Sequence, residues 1–216
     1  YSCAGAGGNG FGFRRTLASL STAVHAKPAA AANDLGDDED DDAAGWETVV
    51  GLELHVQVAA NTKLFSGAER AYDARVNTNV APFDAALPGA LPSVNARSVE
   101  LAARLGFALG GEVQAISSFD RKHYFYADLP HGYQITQQRQ PVVLGGALDV
   151  FVPPPSKNAE APPPRKLRIE RLQLEMDTGK STRAPGQGHT LVDLNRAGST
   201  LIEIVTAPDL RSAEEA

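Results

Sequence analysis

The run Leu201-Ile202-Glu203-Ile204-Val205 places one carboxylate inside an aliphatic segment. Branched aliphatic residues in so short a run favour a strand. Burying a lone carboxylate there is costly, so Glu203 must be exposed on one strand face, paired, or bound to a cation. Residues 51–58 make a related demand. Leu52, Leu54, Val56 and Val58 alternate with Gly51, Glu53, His55 and Gln57, a period of two. That pattern predicts a half-buried strand whose polar face carries Glu53 and His55 side by side.

Further elements follow along the chain. Val94, Leu101, Leu105 and Leu109 recur at helical spacing, with Ser93 as N-cap and Gly110-Gly111 as the stop. Residues 113–119 read as a strand, and Val142 to Val152 as a hairpin around Gly145-Gly146. Six prolines in the thirteen positions 153–165 predict an exposed polyproline-like loop. Leu167 to Glu175 alternates with a phase slip between Ile169 and Leu172, which predicts a bulge. His189 to Leu194 and Ser199 to Thr206 supply two more strands. Strands joined by short turns, with one long helix, predict an α+β fold with a largely antiparallel sheet.

The acids and bases are unevenly spread. Residues 1–45 hold seven acids and three bases, leaving 19 acids and 17 bases in 46–216. A near-neutral body does not by itself signal a nucleic-acid surface. Residues 1–32 are rich in Gly, Ala and Ser, with Arg14, Arg15 and Lys27 as the only charges, which reads as an organellar transit peptide. The Asp37–Asp42 run then resists folding through like-charge repulsion. Residues 1–45 are therefore expected to be a disordered tail and acidic linker, with a low-complexity tail bearing no address as the alternative. The single cysteine, Cys3, lies in that tail, so no cysteine nucleophile or cysteine zinc site is expected in 46–216. No stretch approaches the roughly 18–20 apolar residues of a membrane span, so no membrane partner is expected. The first residue is not methionine, and Ser212 begins a helix-start signal only four residues before the end. The chain reads as a fragment.

Glu53, His55, Glu175 and Glu203 share one setting, the polar face of a predicted strand. Oxygen-rich groups with one imidazole suit Mg²⁺ or Mn²⁺, usually beside a nucleotide phosphate. Each residue taken singly also fits an ordinary solvated strand position. The segment Ser118 to Gln137 interleaves Arg121, Lys122, His123 and His131 with Tyr124, Phe125, Tyr126 and Tyr133. Such a mixture can grip phosphates or a tRNA end, or can form a packed loop with the aromatics inside. Residues 177–182, DTGKST, lack the first glycine of a phosphate-binding GxxxxGK[ST] loop.

Five segments in order, GLELHVQV (51–58), NTNVAPFDAALPGALPSVN (77–95), SSFDRKHYFYADLPHGYQITQ (117–137), LQLEMDTGKST (172–182) and LVDLNRAGSTLIEIVTAPD (191–209), carry a resemblance. They resemble the N-terminal catalytic, or cradle, domain of the B-subunit family (GatB/GatE) of aspartyl/glutamyl-tRNA(Asn/Gln) amidotransferase, over nearly all of 46–216. The resemblance implies a fold like that of glutamine synthetase and the guanido kinases. It implies phosphorylation of the glutamate side chain on misacylated Glu-tRNA(Gln) by ATP and Mg²⁺. Ammonia from glutamine, released by the amidotransferase A subunit, then displaces phosphate to give Gln-tRNA(Gln). The A and C subunits are the implied partners, and the mitochondrion or chloroplast the implied location. In this reading Glu53, His55, Glu175 and Glu203 hold Mg²⁺, with Glu175 also counted as catalytic. Lys122 and Tyr124 match polar positions along the ammonia path. Arg121 and Arg196 are expected, from their chemistry, at phosphate or partner contacts.

Three residues depart from the family pattern: Met176 where bacterial members usually have a second glutamate, Thr200 where proline is common, and His131 for a frequent lysine. The histidine is expected to titrate near neutral pH. The proline-rich insertion has no obvious counterpart. A non-catalytic tRNA-docking or assembly module of the same complex is the alternative function. A free-standing ATP-dependent ligase on a small substrate fits less well, because the chain supplies no ammonia source.

Overall fold

The computed structural model describes residues 16–19, 47–151, 154, 160–186 and 188–216. In chain order the elements are β1 (Thr16–Ser19), β2 (Glu53–Gln57), α1 (Ala96–Ala108), β3 (Glu112–Val113), β4 (Asp120–His123), β5 (Tyr133–Thr136), β6 (Val143–Leu144), β7 (Ala147–Val150), β8 (Arg165–Met176), β9 (Lys180–Arg183), β10 (Thr190–Asp193) and β11 (Thr200–Thr206). The main sheet runs β1-β2-β11-β8-β6-β3, with β7 also on β8, while β4–β5 and β9–β10 form separate pairs. Every pairing is antiparallel. With one helix beside this sheet, the fold is α+β, as the pattern of short turns predicts. Among the described residues no helix is long and apolar enough to cross a membrane. The expectation of a disordered tail falls mostly outside the described residues. Within it, Thr16–Ser19 pairs with β2 as an edge strand.

The period-two segment and the aliphatic run become neighbours. Glu203 lies opposite His55 across β11–β2, and opposite Gln173 across β11–β8. Side chains alternate across a sheet, so Glu203, His55, Gln173 and Glu175 share one face. Ile202, Leu172, Leu174 and Met176 occupy the other and are buried with Val58, Leu64, Phe65 and Phe83. The phase slip in β8 is a bulge: Val205 opposes Arg171 but Thr206 opposes Ile169, which leaves Glu170 unpaired with β11.

The expected hairpin around Gly145-Gly146 does not form. Leu144 pairs with Arg171 and Ala147 with Arg168, so β6 and β7 run on along β8 as one interrupted strand. Both glycines have positive φ, 68° and 118°, and a Cβ on Gly146 would lie 2.8 Å from the Leu109 carbonyl oxygen. They bend the strand around the end of α1 instead of reversing it. The true turn is the proline-rich segment joining β7 to β8, whose described residues Pro154 and 160–164 are exposed. Of the expected strand over 113–119, only Val113 lies in a strand, β3. Residues 213–215 form a turn, with Ala216 N donating to Ala213 O.

The helix begins two residues later than expected, capped by Asn95 instead of Ser93, and the Asn95 side chain accepts from Arg97 N. It ends in a Schellman arrangement: Gly111 N donates to Gly106 O and Gly110 N to Phe107 O, with Gly110 at φ 69°. Its buried stripe is Ser98, Ala102 and Gly106, with Leu101 and Leu105 packed at the flanks. Small residues let α1 lie close on the sheet. A Cβ on Gly106 would sit 2.5 Å from Val143 Cγ2. Glycine to alanine inside a helix normally stabilises by about 1 kcal/mol. Here overpacking should win, and Gly106→Ala should cost about 1–3 kcal/mol in urea unfolding.

Loop 60–95 is fastened to the far side of the core by buried polar contacts. Lys63 Nζ, fully buried, donates to Asp84 Oδ2 at 2.9 Å and to Leu194 O at 3.3 Å. Asp84 also accepts from Ser66 Oγ (2.9 Å) and Ala81 N (2.9 Å). The DLNRAG turn clamps the same loop: Asn195 Oδ1 accepts from Asn79 N, and its Nδ2 donates to Arg75 O. Gly198 is required there, because at φ 81° a Cβ would lie 2.8 Å from Asp84 Oδ1.

Candidate functional site

Three strands of the main sheet each aim one polar side chain at a common point. His55 Nε2 on β2 lies 3.2 Å from Glu175 Oε2 on β8 and 3.7 Å from Glu203 Oε1 on β11. One ligand atom from each of the three lies within 4.8 Å of the others, the metal-capable group found among the described residues. The carboxylates are almost sealed, with side chains 3% and 9% exposed, whereas His55 is 26% exposed. Access to the point between them is therefore from the His55 side. Glu53, one pleat along β2 and opposite Val205, lies outside this group of three. Its charge still acts on both His55 and Glu203.

Residues with no motif of their own hold the carboxylates in place. Thr136 Oγ1 donates to Glu175 Oε1 at 2.5 Å, and Gln134 Nε2 reaches Glu175 Oε2 at 3.4 Å. Gln173 Nε2 bridges Glu203 Oε2 (2.5 Å) and Glu175 Oε1 (3.1 Å). Gln134 and Thr136 come from β5, which sits against the end of β8. There side chains replace ladder bonds: Gln134 Nε2 donates to Met176 O, and Gln137 Oε1 accepts from Leu174 N. The period-two pattern of β8 does point Gln173 to the Glu175 face. Nothing in the sequence brings β5 to it.

The charges of the group are coupled. The hydrogen bond to Glu175 raises the His55 pKa against the effect of burial. Burial acts against the Glu175 charge, but hydrogen bonds from His55 and Thr136 outweigh it and hold its pKa below the ordinary carboxylate range. Burial, with the Glu175 charge next to it, pushes Glu203 up to about 7. Nearby Asp177 is pushed up to about 6 by burial. The three shifts run in one sense: Glu175 is favoured as the carboxylate, while proton binding is favoured at His55 and Glu203.

This donor set fits a hard divalent cation. An octahedral ion with bonds of about 2.1 Å spaces its ligand atoms about 3.0 Å apart in cis and about 4.2 Å in trans. The 3.2 Å separation is close to the cis spacing, and 3.7 Å lies between the two spacings. A cation needs neutral imidazole and ionised carboxylates, so protons compete with it. Because the His55 and Glu203 pKa values are both raised, affinity should fall as pH drops through about 7. The fall should approach about tenfold per pH unit for each proton displaced. Mn²⁺ titrations at pH 6, 7 and 8 check this.

The other expected site residues are dispersed. Lys122 on β4 is exposed and opposite Gln134 in the β4–β5 pair, so it belongs to the hairpin that touches Glu175. Tyr124 is 38% exposed and packs on Tyr126, with ring centroids 4.5 Å apart. The Arg121 guanidinium stacks 4.7 Å over Tyr133. Arg196 donates to Thr178 O (2.9 Å) and Gly179 O (2.7 Å) and pairs with Asp177.

The three departures find structural partners. Met176 is on the core face, opposite in direction to Glu175. It lines a small cavity together with Phe83, Leu129 and His131. Met176 and His131 thus meet at one place. Burial lowers the His131 pKa, so this ring stays neutral at neutral pH instead of switching there. Thr200 is buried, and its hydroxyl is bonded to Ser98 Oγ at 2.8 Å.

Known proteins are similar to this chain in sequence. A glutamyl-tRNA(Gln) amidotransferase B subunit (form B-2) from Micromonas commoda, named chloroplastic/mitochondrial, is 74% identical over 79% of this chain and 31% of its own length. The human mitochondrial glutamyl-tRNA(Gln) amidotransferase B subunit is 50% identical over 79% of this chain and 30% of its own. The B subunit of the aspartyl/glutamyl-tRNA(Asn/Gln) amidotransferase of Teredinibacter turnerae is 47% identical over 79% and 34%. The chain thus spans about a third of the length of these curated relatives, and the names of the first two are organellar, in line with the expected location. The model of the GatB/GatE catalytic domain matches residues 48–216, and the chain belongs to that family.

Proposed function

We propose that this chain carries the ATP- and Mg²⁺-dependent site of an organellar glutamyl-tRNA(Gln) amidotransferase. The observation that carries this reading is the convergence of His55 Nε2, Glu175 Oε2 and Glu203 Oε1 from three adjacent strands. Those three residues would hold Mg²⁺, with Glu53 adding to the local negative field. Bound there, the ion supplies charge neutralisation for the phosphates of ATP during phosphoryl transfer.

The free side-chain carboxylate of the glutamate whose α-carboxyl is esterified to tRNA(Gln) attacks the γ-phosphorus, one P–O bond forming as the bond to ADP breaks and a side-chain acyl phosphate resulting. Ammonia then attacks the acyl carbon, and phosphate departs with the oxygen it received. Thr136 and Gln134 fix Glu175 while this occurs, and the half-open His55 side admits the substrates. Lys122 and Tyr124, exposed on and beside the hairpin that braces Glu175, would meet incoming ammonia. Arg121, exposed and with its guanidinium over the Tyr133 ring, would serve a phosphate or partner contact. Arg196 contributes by holding residues 177–179. The A and C subunits complete the assembly, and the glutamine synthetase-like fold belongs to the same reading. The docking-module alternative rests on Met176. Its side chain packs into the core, so its presence takes no ligand from the carboxylate group.

The test is ADP formation by the complete protein, assembled with the A and C subunits, that depends on Glu-tRNA(Gln). Dependence on the misacylated tRNA supports the reading. ADP formation that ignores the tRNA, or none at all, contradicts it.

A further inference from the structure

Gln173 is buried, 3% exposed, and its amide is held at both ends. Arg171 Nε donates to Gln173 Oε1 at 2.9 Å. A guanidinium is only a donor, so the amide oxygen must face it and the NH₂ must face the carboxylates. Turned the other way, the amide would set a carbonyl oxygen against two acids and its hydrogens against Arg171. One amide hydrogen goes to Glu203 Oε2 at 2.5 Å. The other is shared between Glu175 Oε1 and Thr136 Oγ1, each at 3.1 Å. Thr136 spends its own hydrogen on Glu175 Oε1 and keeps lone pairs to accept from Gln173.

These bonds fall on one oxygen of each carboxylate. Glu203 Oε2 and Glu175 Oε1 are tied. Glu203 Oε1 and Glu175 Oε2 are left facing His55 Nε2, apart from the long 3.4 Å contact of Gln134 on the latter. We infer that Gln173, locked by Arg171, is a positioning residue that makes each carboxylate a one-oxygen ligand. This rests on the cation site proposed above and adds a selectivity to it. One-oxygen ligands at fixed positions suit the strict octahedron of Mg²⁺, whereas Ca²⁺ accepts bidentate carboxylates and looser geometry. Freeing the carboxylates should therefore harm Mg²⁺ binding more than Ca²⁺ binding.

The experiment titrates the complete chain with Mg²⁺ and with Ca²⁺, for wild type, Gln173→Met, Gln173→Asn, Arg171→Met and the Arg171→Met/Gln173→Met pair. Circular dichroism and urea midpoints check folding. Gln173→Asn keeps the amide but is too short to bridge, so it serves if the methionine variant does not fold. Gln173→Met should weaken Mg²⁺ about 10- to 100-fold, the usual cost of losing a group that orients metal ligands. Ca²⁺ should weaken less, which narrows the preference for Mg²⁺. The double variant should bind no worse than Gln173→Met, because Arg171 acts through the amide. Unchanged Mg²⁺ affinity in folded Gln173→Met or Gln173→Asn, or equal losses for both ions, would overturn the inference while leaving the cation site standing. If wild type and Glu203→Gln bind Mg²⁺ alike, the cation reading itself fails and takes this inference with it.

Discussion

Replacing Lys63 by methionine should destabilise the fold by about 3–5 kcal/mol, the cost of leaving a buried charge without its partner. The ammonium is fully buried and sits 2.9 Å from Asp84 Oδ2, itself 1% exposed. Burial lowers the Lys63 pKa, and the Asp84 hydrogen bond and charge work against that drop. Removing the cation strands the carboxylate between Ser66, Ala81 and the turn at Gly198. The damage should spread to the loop that carries Phe65 and Phe83 into the core. Lys63→Met/Asp84→Asn, which removes both charges, should recover a large part of the loss. Urea unfolding of the three proteins measures this. A loss below about 1 kcal/mol for Lys63→Met would show that the pair behaves like a surface salt bridge.

The second large effect concerns the site. Glu203→Gln and Glu175→Gln keep the side-chain shape and each remove one negative charge from a nearly sealed pocket. A metal ion contributes several kcal/mol of charge stabilisation to phosphoryl transfer. At 1.36 kcal/mol per decade, tRNA-dependent ADP formation should fall about 10²- to 10³-fold in either variant. His55→Ala should lose a comparable amount. Glu53→Gln should lose less than about tenfold, because Glu53 acts on the group through its field and lies outside it. An equal loss at all four positions would mean that Glu53 is a ligand after all. No loss at Glu203 would remove the cation from the mechanism.

Much of this is legible in the residues. The alternation of 51–58 and the awkward carboxylate at 203 both require a sheet with one polar face, and these two segments do pair. The slip between Ile169 and Leu172 is a bulge at Glu170 because an extra residue shifts the alternation wherever it sits. Other features depend on contacts distant in sequence. Gly145-Gly146 between two aliphatic runs resembles a hairpin turn. Only the length of β8, which pairs with both halves, reveals one bent strand. The helix face is hard to read because large leucines mark the flanks, while the close contact is made by Ser98, Ala102 and Gly106. Gln134, Thr136 and Gln173 carry no signature of their own. Their meaning comes from β5 lying against β8, and no local pattern encodes that. Arg196 suggests a phosphate contact by charge alone; in the fold its Nε and Nη2 bond the Thr178 and Gly179 carbonyls while the side chain stays 44% exposed.

The most direct measurement of the central claim is anomalous scattering from Mn²⁺ in crystals of the complete protein with Mn²⁺ and a non-hydrolysable ATP analogue. The proposed site predicts a peak within direct coordination distance of His55 Nε2, Glu175 Oε2 and Glu203 Oε1, with phosphate oxygens completing the shell. A peak on the phosphates that none of these three side chains touches would contradict it.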